Sequence, residues 1–213
     1  MDNCLLSVVV VSWNTCDLLG NSIQSIRQYP PAGPFEVWVV DNASNDGSAA
    51  MVRERFPWVQ LIENRDNVGF AAANNQAIRD SKGRYIALLN SDTELRPGAL
   101  DALVGFMEVN PRAGAAGARV FNPDGCLQPS CQPMPTPERE FWRLLFLDRI
   151  WPRATYRMHR WAVDTPRRVE VIKGACLLLR REVLDQVGLL DERYFMYAEE
   201  VDLCYRMDRA GWE

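Results

Sequence analysis

Carboxylates in this chain stand where apolar runs give out. "VWVVDN" closes on Asp41, and "YIALLNSD" breaks at Asn90 and Ser91 before reaching Asp92. Further along, "YAEEVDLCYR" sets Glu199 and Glu200 side by side, with Asp202 three residues after Glu199. An ionised carboxylate accepts hydrogen bonds and donates none. It can take the proton of a reacting hydroxyl, and it is a natural oxygen ligand for a hard divalent cation. A buried strand gains nothing by ending in short polar side chains, so the break after Leu89 points to a ligand beyond it. The Glu199–Glu200 pair has a plainer reading as well, because acids at a helix start are favoured by the helix dipole alone.

The elements that must hold these acids alternate. Residues 5–13, 35–41, 58–64 and 84–90 are near-continuous apolar runs rich in Val and Ile, the pattern of parallel strands covered on both faces. Helical patterns fill 15–28, 47–56, 70–80 and 98–109, and "KGACLLL" at 173–179 adds a further strand. Ser44 to Ser48 supplies capping oxygens for the second helix, and Pro97 suits the first turn of the fourth. Such alternation implies right-handed crossovers and an α/β fold with a mostly parallel, Rossmann-like central sheet flanked by helices. Ligands of these sheets bind beyond the carboxyl ends of the strands. The polar breaks Ser12-Trp13-Asn14, Asp41-Asn42, Glu63-Asn64-Arg65 and Asn90-Ser91-Asp92 would all fall on that one edge. One polar strand end is an ordinary loop start, whereas four together read as a ligand site. Neither the G-x-G-x-x-G fingerprint nor a lysine-bearing phosphate loop follows the first strand, so the site does not rely on those devices.

Bulk properties narrow the classes. The 213 residues carry a net charge of −4 and are 47% hydrophobic, the composition of a soluble globular protein and not of a nucleic-acid binder. No apolar run reaches the roughly 18 residues of a membrane span, and the acidic start "MDNCLLSVVVVSWN" is unlike a signal peptide. The six cysteines are scattered, without zinc spacing, and read as reduced core or incidental residues. A cytoplasmic location follows as the expectation.

The segments "SVVVVSWNTCDLL", "VVDNASNDGS", "NVGFAAANNQAI", "ALLNSDTEL", "KGACLLLRREV" and "YFMYAEEVDLCYR" occur in the order seen in family 2 glycosyltransferases. The chain resembles their bacterial rhamnosyl- and galactofuranosyltransferase-like branch over residues 5–211. The resemblance implies a single GT-A domain over 1–213, with 1–110 as the nucleotide-sugar-binding half and 111–213 as the acceptor and catalytic half. It implies inversion at the anomeric carbon, a UDP- or dTDP-sugar donor, a saccharide or lipid-linked saccharide acceptor, and Mg²⁺ or Mn²⁺ as counter-charge to the diphosphate.

Residue by residue, Asp92 matches the last acid of the family's DXD position and is assigned to the metal. Asn90 and Ser91 take the preceding places, so the segment offers one carboxylate where the family often has two. Asp41 matches the base-reading acid, and a carboxylate can accept the N3–H of uracil or thymine, which cytosine lacks. Ser12 and Asn14 are expected to line the base and ribose pocket. Asn67, Gly69 and Asn75 are expected beside the nucleotide, with capping and packing an open alternative for Asn67. Glu200 stands where the family has its general base, and Glu199 remains a second candidate. His159 is not assigned as a ligand. The family continues past the acid helix, often to a metal-ligating histidine; a shortened chain that transfers poorly is therefore the expectation.

Two further readings stay open: a non-catalytic nucleotide-sugar-binding domain, and a nucleotidyltransferase, which normally has a Gly- and Arg-rich loop after its first strand. Residues 138–168 differ from the rest, with eight arginines interleaved with Phe141, Trp142, Phe146, Trp151 and Trp161. They read either as a surface for acceptor or peripheral membrane contact at the inner face of the cell membrane, or as a packed helix with a solvated basic face.

Overall fold

The computed structural model describes residues 4–150, 153–162 and 164–213; Trp151 lies outside them. Ten strands are described: β1 Leu6–Ser12, β2 Phe35–Asp41, β3 Gln60–Glu63, β4 Tyr85–Asn90, β5 Ala115–Gly117, β6 Val120–Phe121, β7 Leu127–Gln128, β8 Cys131–Gln132, β9 Val171–Ile172 and β10 Cys176–Arg180. Seven α-helices accompany them: α1 Cys16–Gln28, α2 Ser48–Arg55, α3 Phe70–Asp80, α4 Ala99–Val109, α5 Pro137–Leu144, α6 Arg181–Val187 and α7 Glu199–Arg209.

Six strands form the central sheet in the order β3-β2-β1-β4-β10-β5. The first four run parallel, and β10 lies antiparallel between β4 and β5. Side chains alternate between the faces, as the two-residue period of a strand requires. Val8, Val10, Val39, Ala87, Leu89 and Leu178 enter one core with Leu19, Ile23 and Ile26 of α1. Val9, Val40, Ile86, Leu88, Leu177 and Leu179 enter the other, beneath α3, α6 and α7. Ala71, Ala73 and Ala77 of α3 are fully buried, and their small size lets that helix lie close over β1 and β2.

Two local expectations are corrected and a third is made specific. Pro97 lies outside α4, because Gly98 at φ +71° caps the helix and Ala99 begins it. The third strand is limited to Gln60–Glu63; Trp58 is partly exposed and precedes it. At the second helix the capping oxygen comes from Asp46, whose Oδ1 accepts the Ser48 N–H at 3.1 Å, while Gly47 turns the chain at φ +87°.

Register fixes the edge that matters. Ser12 pairs with Asp41, Asp41 with Glu63, and Val11 with Asn90, so the polar breaks lie side by side across four strands. Because β10 runs the other way, its first residue, Cys176, pairs with Leu89, and Leu177 pairs with Gly117 at the end of β5. The chain between Gly117 and Cys176 therefore leaves and re-enters the sheet at that same edge. No helix among the described residues is long and apolar enough to cross a membrane, and all six cysteines are free.

Candidate active site

Loops after the strands clasp one another at this edge. Asn14 adopts φ +54°, a left-handed conformation that Asn tolerates better than most residues. From there its Oδ1 accepts the Asn45 N–H at 2.8 Å, and its own N–H reaches Ser44 Oγ at 2.9 Å. Ser12 Oγ and Thr15 Oγ1 lie 2.8 Å apart, and Thr15 donates to Ser91 Oγ at 3.0 Å. A hydroxyl relay thus joins the ends of β1 and β4. Asn90 is held by its N–H to Ala175 O at 3.2 Å, while its carbonyl accepts Thr93 N–H.

Asp41 is 3% exposed. Its Oδ2 accepts the Ser44 N–H at 3.1 Å, whereas Oδ1 is buried without a hydrogen-bond partner among the described residues. An unpaired buried carboxylate oxygen is costly, and a ligand's N–H would satisfy it. Asp92 is exposed and has neither hydrogen-bond nor ion-pair partner among the described residues.

Asn42, which the sequence did not single out, organises the neighbouring loop. Its Nδ2 donates to Asn67 Oδ1 at 2.7 Å and its Oδ1 accepts from Asn64 Nδ2 and the Val68 N–H. Asn67 Oδ1 also accepts the Gly69 N–H at 3.0 Å, so Asn67 braces this loop. Gly69 sits at φ +86°, and a Cβ on it would come 2.6 Å from Phe195 O. The close approach at this glycine is made to the chain's own backbone. Asn75 is fully engaged elsewhere: Nδ2 donates to Leu190 O and Glu192 Oε1, and Oδ1 accepts the Leu190 N–H. Both amide hydrogens are spent on the loop leading to α7, so Asn75 braces that loop.

That loop delivers the acid pair. Tyr197 and Ala198 are both left-handed, at φ +68° and +72°, a costly conformation for residues with side chains that concentrates at functional sites. Glu199 follows as the first residue of α7 and is 5% exposed. Burial, reinforced by the negative charge of Glu200, pushes its carboxyl up to about 7. One oxygen of each glutamate is buried without a hydrogen-bond partner among the described residues. Asp202 is occupied, bonded to Arg206 at 2.8 Å, and Arg206 also ties down the carbonyls of Val187, Gly188 and Leu189. Glu63 is likewise taken, by Arg53. His159 lies exposed in a single 3₁₀ turn, Met158–Arg160.

No group of three or more His, Cys, Asp or Glu that could hold a metal occurs among the described residues. A Mg²⁺-type site does not need one, since such ions are commonly held by one or two carboxylates plus substrate phosphates. The unpartnered, exposed carboxylate of Asp92 fits that role.

Comparison with known proteins agrees with this architecture. The N-acetylglucosaminyl-diphospho-decaprenol L-rhamnosyltransferase of Mycobacterium tuberculosis is 34% identical, over 98% of this chain and 72% of its own length. A low-salt glycan biosynthesis hexosyltransferase of Haloferax volcanii is 25% identical, over 97% of the chain and 62% of its own. Among solved structures, a mannosyltransferase of Pyrobaculum calidifontis in complex with GDP-Man and Mn²⁺ superposes with a TM-score of 0.68 at 22% identity. It is matched over 99% of this chain and 54% of its own, so the present chain spans about half its length. The S. aureus TarS fragment 1–349 superposes with a TM-score of 0.66 at 17% identity, over 95% of this chain and 55% of its own. The description "Glycosyl transferase family 2" matches residues 7–188, and with the sheet order and strand-edge site above, the chain belongs to that family and has its GT-A fold.

Proposed function

We propose that the chain moves a sugar, with inversion, from a UDP- or dTDP-sugar to a saccharide or lipid-linked saccharide in surface polysaccharide synthesis. The observation that carries the donor side is Asp41 Oδ1, buried and unpaired at the carboxyl edge of the sheet. A uracil or thymine N3–H supplies the missing donor; cytosine cannot. Ser12, which pairs with Asp41, and Asn14, which bonds Ser44 and Asn45, flank the same position. Residues 1–110 serve the donor, and 111–213 supply the acceptor side.

In the transfer, the acceptor hydroxyl gives its proton to a carboxylate of the Glu199–Glu200 pair as its oxygen bonds to the anomeric carbon. The bond from that carbon to the diphosphate breaks on the opposite face. Glu200, only partly buried, is the member that meets the acceptor. Glu199 lies behind it, and its protonation sets how much negative charge Glu200 faces. Asp92 holds the divalent cation, Mg²⁺ or Mn²⁺, which when bound offsets the charge of the leaving diphosphate. The first relative's name pairs a rhamnosyltransferase with a diphospho-decaprenol saccharide, and a polyprenyl-linked acceptor is the reading adopted here.

Calorimetry with UDP, dTDP, CDP and GDP in Mn²⁺, followed by a transfer assay with the sugar of the tightest binder, tests this. Tight UDP or dTDP binding with transfer is the expected result. Binding without transfer favours a nucleotide-sugar-binding domain, and no preference for UDP or dTDP over CDP removes the role of Asp41.

A further inference from the structure

We infer that α5 and the turn after it form a docking surface for an anionic lipid bilayer, within the insertion that leaves and re-enters the sheet at the edge carrying the candidate active site. The inference rests on the lipid-linked acceptor reading above. Thr136 and Pro137 start this helix cleanly, with Thr136 Oγ1 accepting the Arg139 N–H at 3.2 Å. Its polar side is then fastened to the body: Arg139 donates to Met134 O at 2.8 Å and to Glu170 Oε1 at 3.0 Å. What this leaves outward, beside Glu138 and Arg143, is an apolar face. Phe141, Leu144 and Leu145, at i, i+3 and i+4, are 63%, 72% and 51% exposed, and Phe146 and Ile150 continue the patch at 68% and 83%. No residue of α5 is buried, although its first turn is capped and its orientation is pinned. Contiguous apolar surface of this kind marks an interaction site.

Charge selects the occupant. Residues 138–168 hold eight arginines against four carboxylates, in a chain whose net charge is −4. Of those carboxylates, Glu140 is paired with Arg143, and Asp148 accepts the N–H groups of Arg153 and Ala154. Arg160 and Arg167 stay exposed. An exposed amphipathic helix in an arginine-rich segment is the arrangement that lies in the headgroup region of anionic membranes. Position completes the argument. The insertion bearing α5 leaves the sheet at Gly117 and returns at Cys176, on the edge where Asp41, Asn90 and Asp92 lie. A bilayer held there presents a lipid-linked hydroxyl to the same edge, without the chain having to extract the lipid.

Flotation with vesicles of phosphatidylcholine, with and without phosphatidylglycerol, tests the surface. The chain is expected to float with the anionic vesicles, less so as salt rises, and to stay behind with neutral ones. The double variant Leu144→Glu, Ile150→Glu should lose about tenfold or more in vesicle affinity, since each change removes one large apolar contact. Its melting curve and nucleoside-diphosphate binding should match wild type. Equal flotation by the variant, or none by wild type at low salt, overturns the inference. So does a concentration-dependent dimer, seen by light scattering, that the same double variant abolishes, since the patch would then belong to a second copy. Nucleotide calorimetry on wild type separates the two proposals, because failure there removes the proposed function whatever the vesicles do.

Discussion

The carbonyl oxygen of Phe195 stands so close to Gly69 that a Cβ there would approach it to 2.6 Å, and it accepts the Phe70 N–H at 2.7 Å. The loop after β3 and the loop before the Glu199–Glu200 pair are thus fastened backbone to backbone. The segment that opens α3 and the segment that leads into α7 share one joint.

That joint makes the first prediction. Gly69→Ala meets both a left-handed φ and a backbone atom that cannot swing aside, so it should cost about 1–3 kcal/mol from conformational strain and more from the clash. Gly125→Ala is the control for a positive φ, at +83° with nothing within 4 Å. Thermal melting should drop further for Gly69→Ala than for Gly125→Ala, and equal drops would mean the Phe195 contact contributes nothing.

Asp41→Asn tests base selection. An amide offers donors as well as an acceptor, so it can meet cytosine as readily as uracil. UDP affinity should fall by about 1.5–3 kcal/mol, the scale of a hydrogen bond to a charged group, while CDP affinity changes little or rises. Parallel losses for both nucleotides would assign Asp41 to shaping the Ser44 turn alone.

Asp92→Asn should weaken UDP or dTDP binding in Mn²⁺ to the level measured in EDTA, with the metal-free affinity unchanged. The side chain is exposed and has no hydrogen-bond or ion-pair partner among the described residues, so the fold should not respond. A loss that is the same with and without metal would make its part structural.

Apolar runs made the parallel strands readable, because β1, β2 and β4 are covered on both faces and, Ser7 and Glu36 apart, are hydrophobic up to their polar ends. Their common polar edge followed from direction alone, and Ser12, Asp41 and Glu63 do pair in register. Strand β3 was read too long because Trp58 and Val59 are apolar, yet Trp58 lies partly exposed before the ladder begins. The asparagines were harder. Asn42, Asn67 and Asn75 look alike in a sequence, since an amide serves a ligand or a neighbouring loop with the same atoms. Only contacts between residues far apart, such as Asn75 with Leu190 and Glu192, separate those uses. The left-handed Tyr197 and Ala198 left no trace either, because neither residue type favours that conformation and the surrounding packing must impose it.

Glu199 yields the last prediction. Its carboxyl is raised from 4.5 to about 7, first by burial and then by the charge of Glu200. The unfolded chain releases this proton near 4.5, whereas the folded chain keeps it until about 7. Between those values the folded state binds more protons, so stability falls as pH rises through that window. The penalty is absent below about 4.5 and complete above about 7, with a ceiling of about 3 kcal/mol at 1.36 kcal/mol per unit. Glu199→Gln carries no such proton and resembles the protonated acid. It should match wild type in denaturant midpoint near the acidic end of the window and exceed it on the alkaline side. Transfer separates the two acids. Glu200→Gln should abolish turnover with nucleotide binding intact, while Glu199→Gln should leave turnover measurable and flatten its pH profile around neutrality. If Glu199→Gln is instead the variant that abolishes turnover and Glu200→Gln merely shifts the profile, the buried member of the pair takes the acceptor's proton.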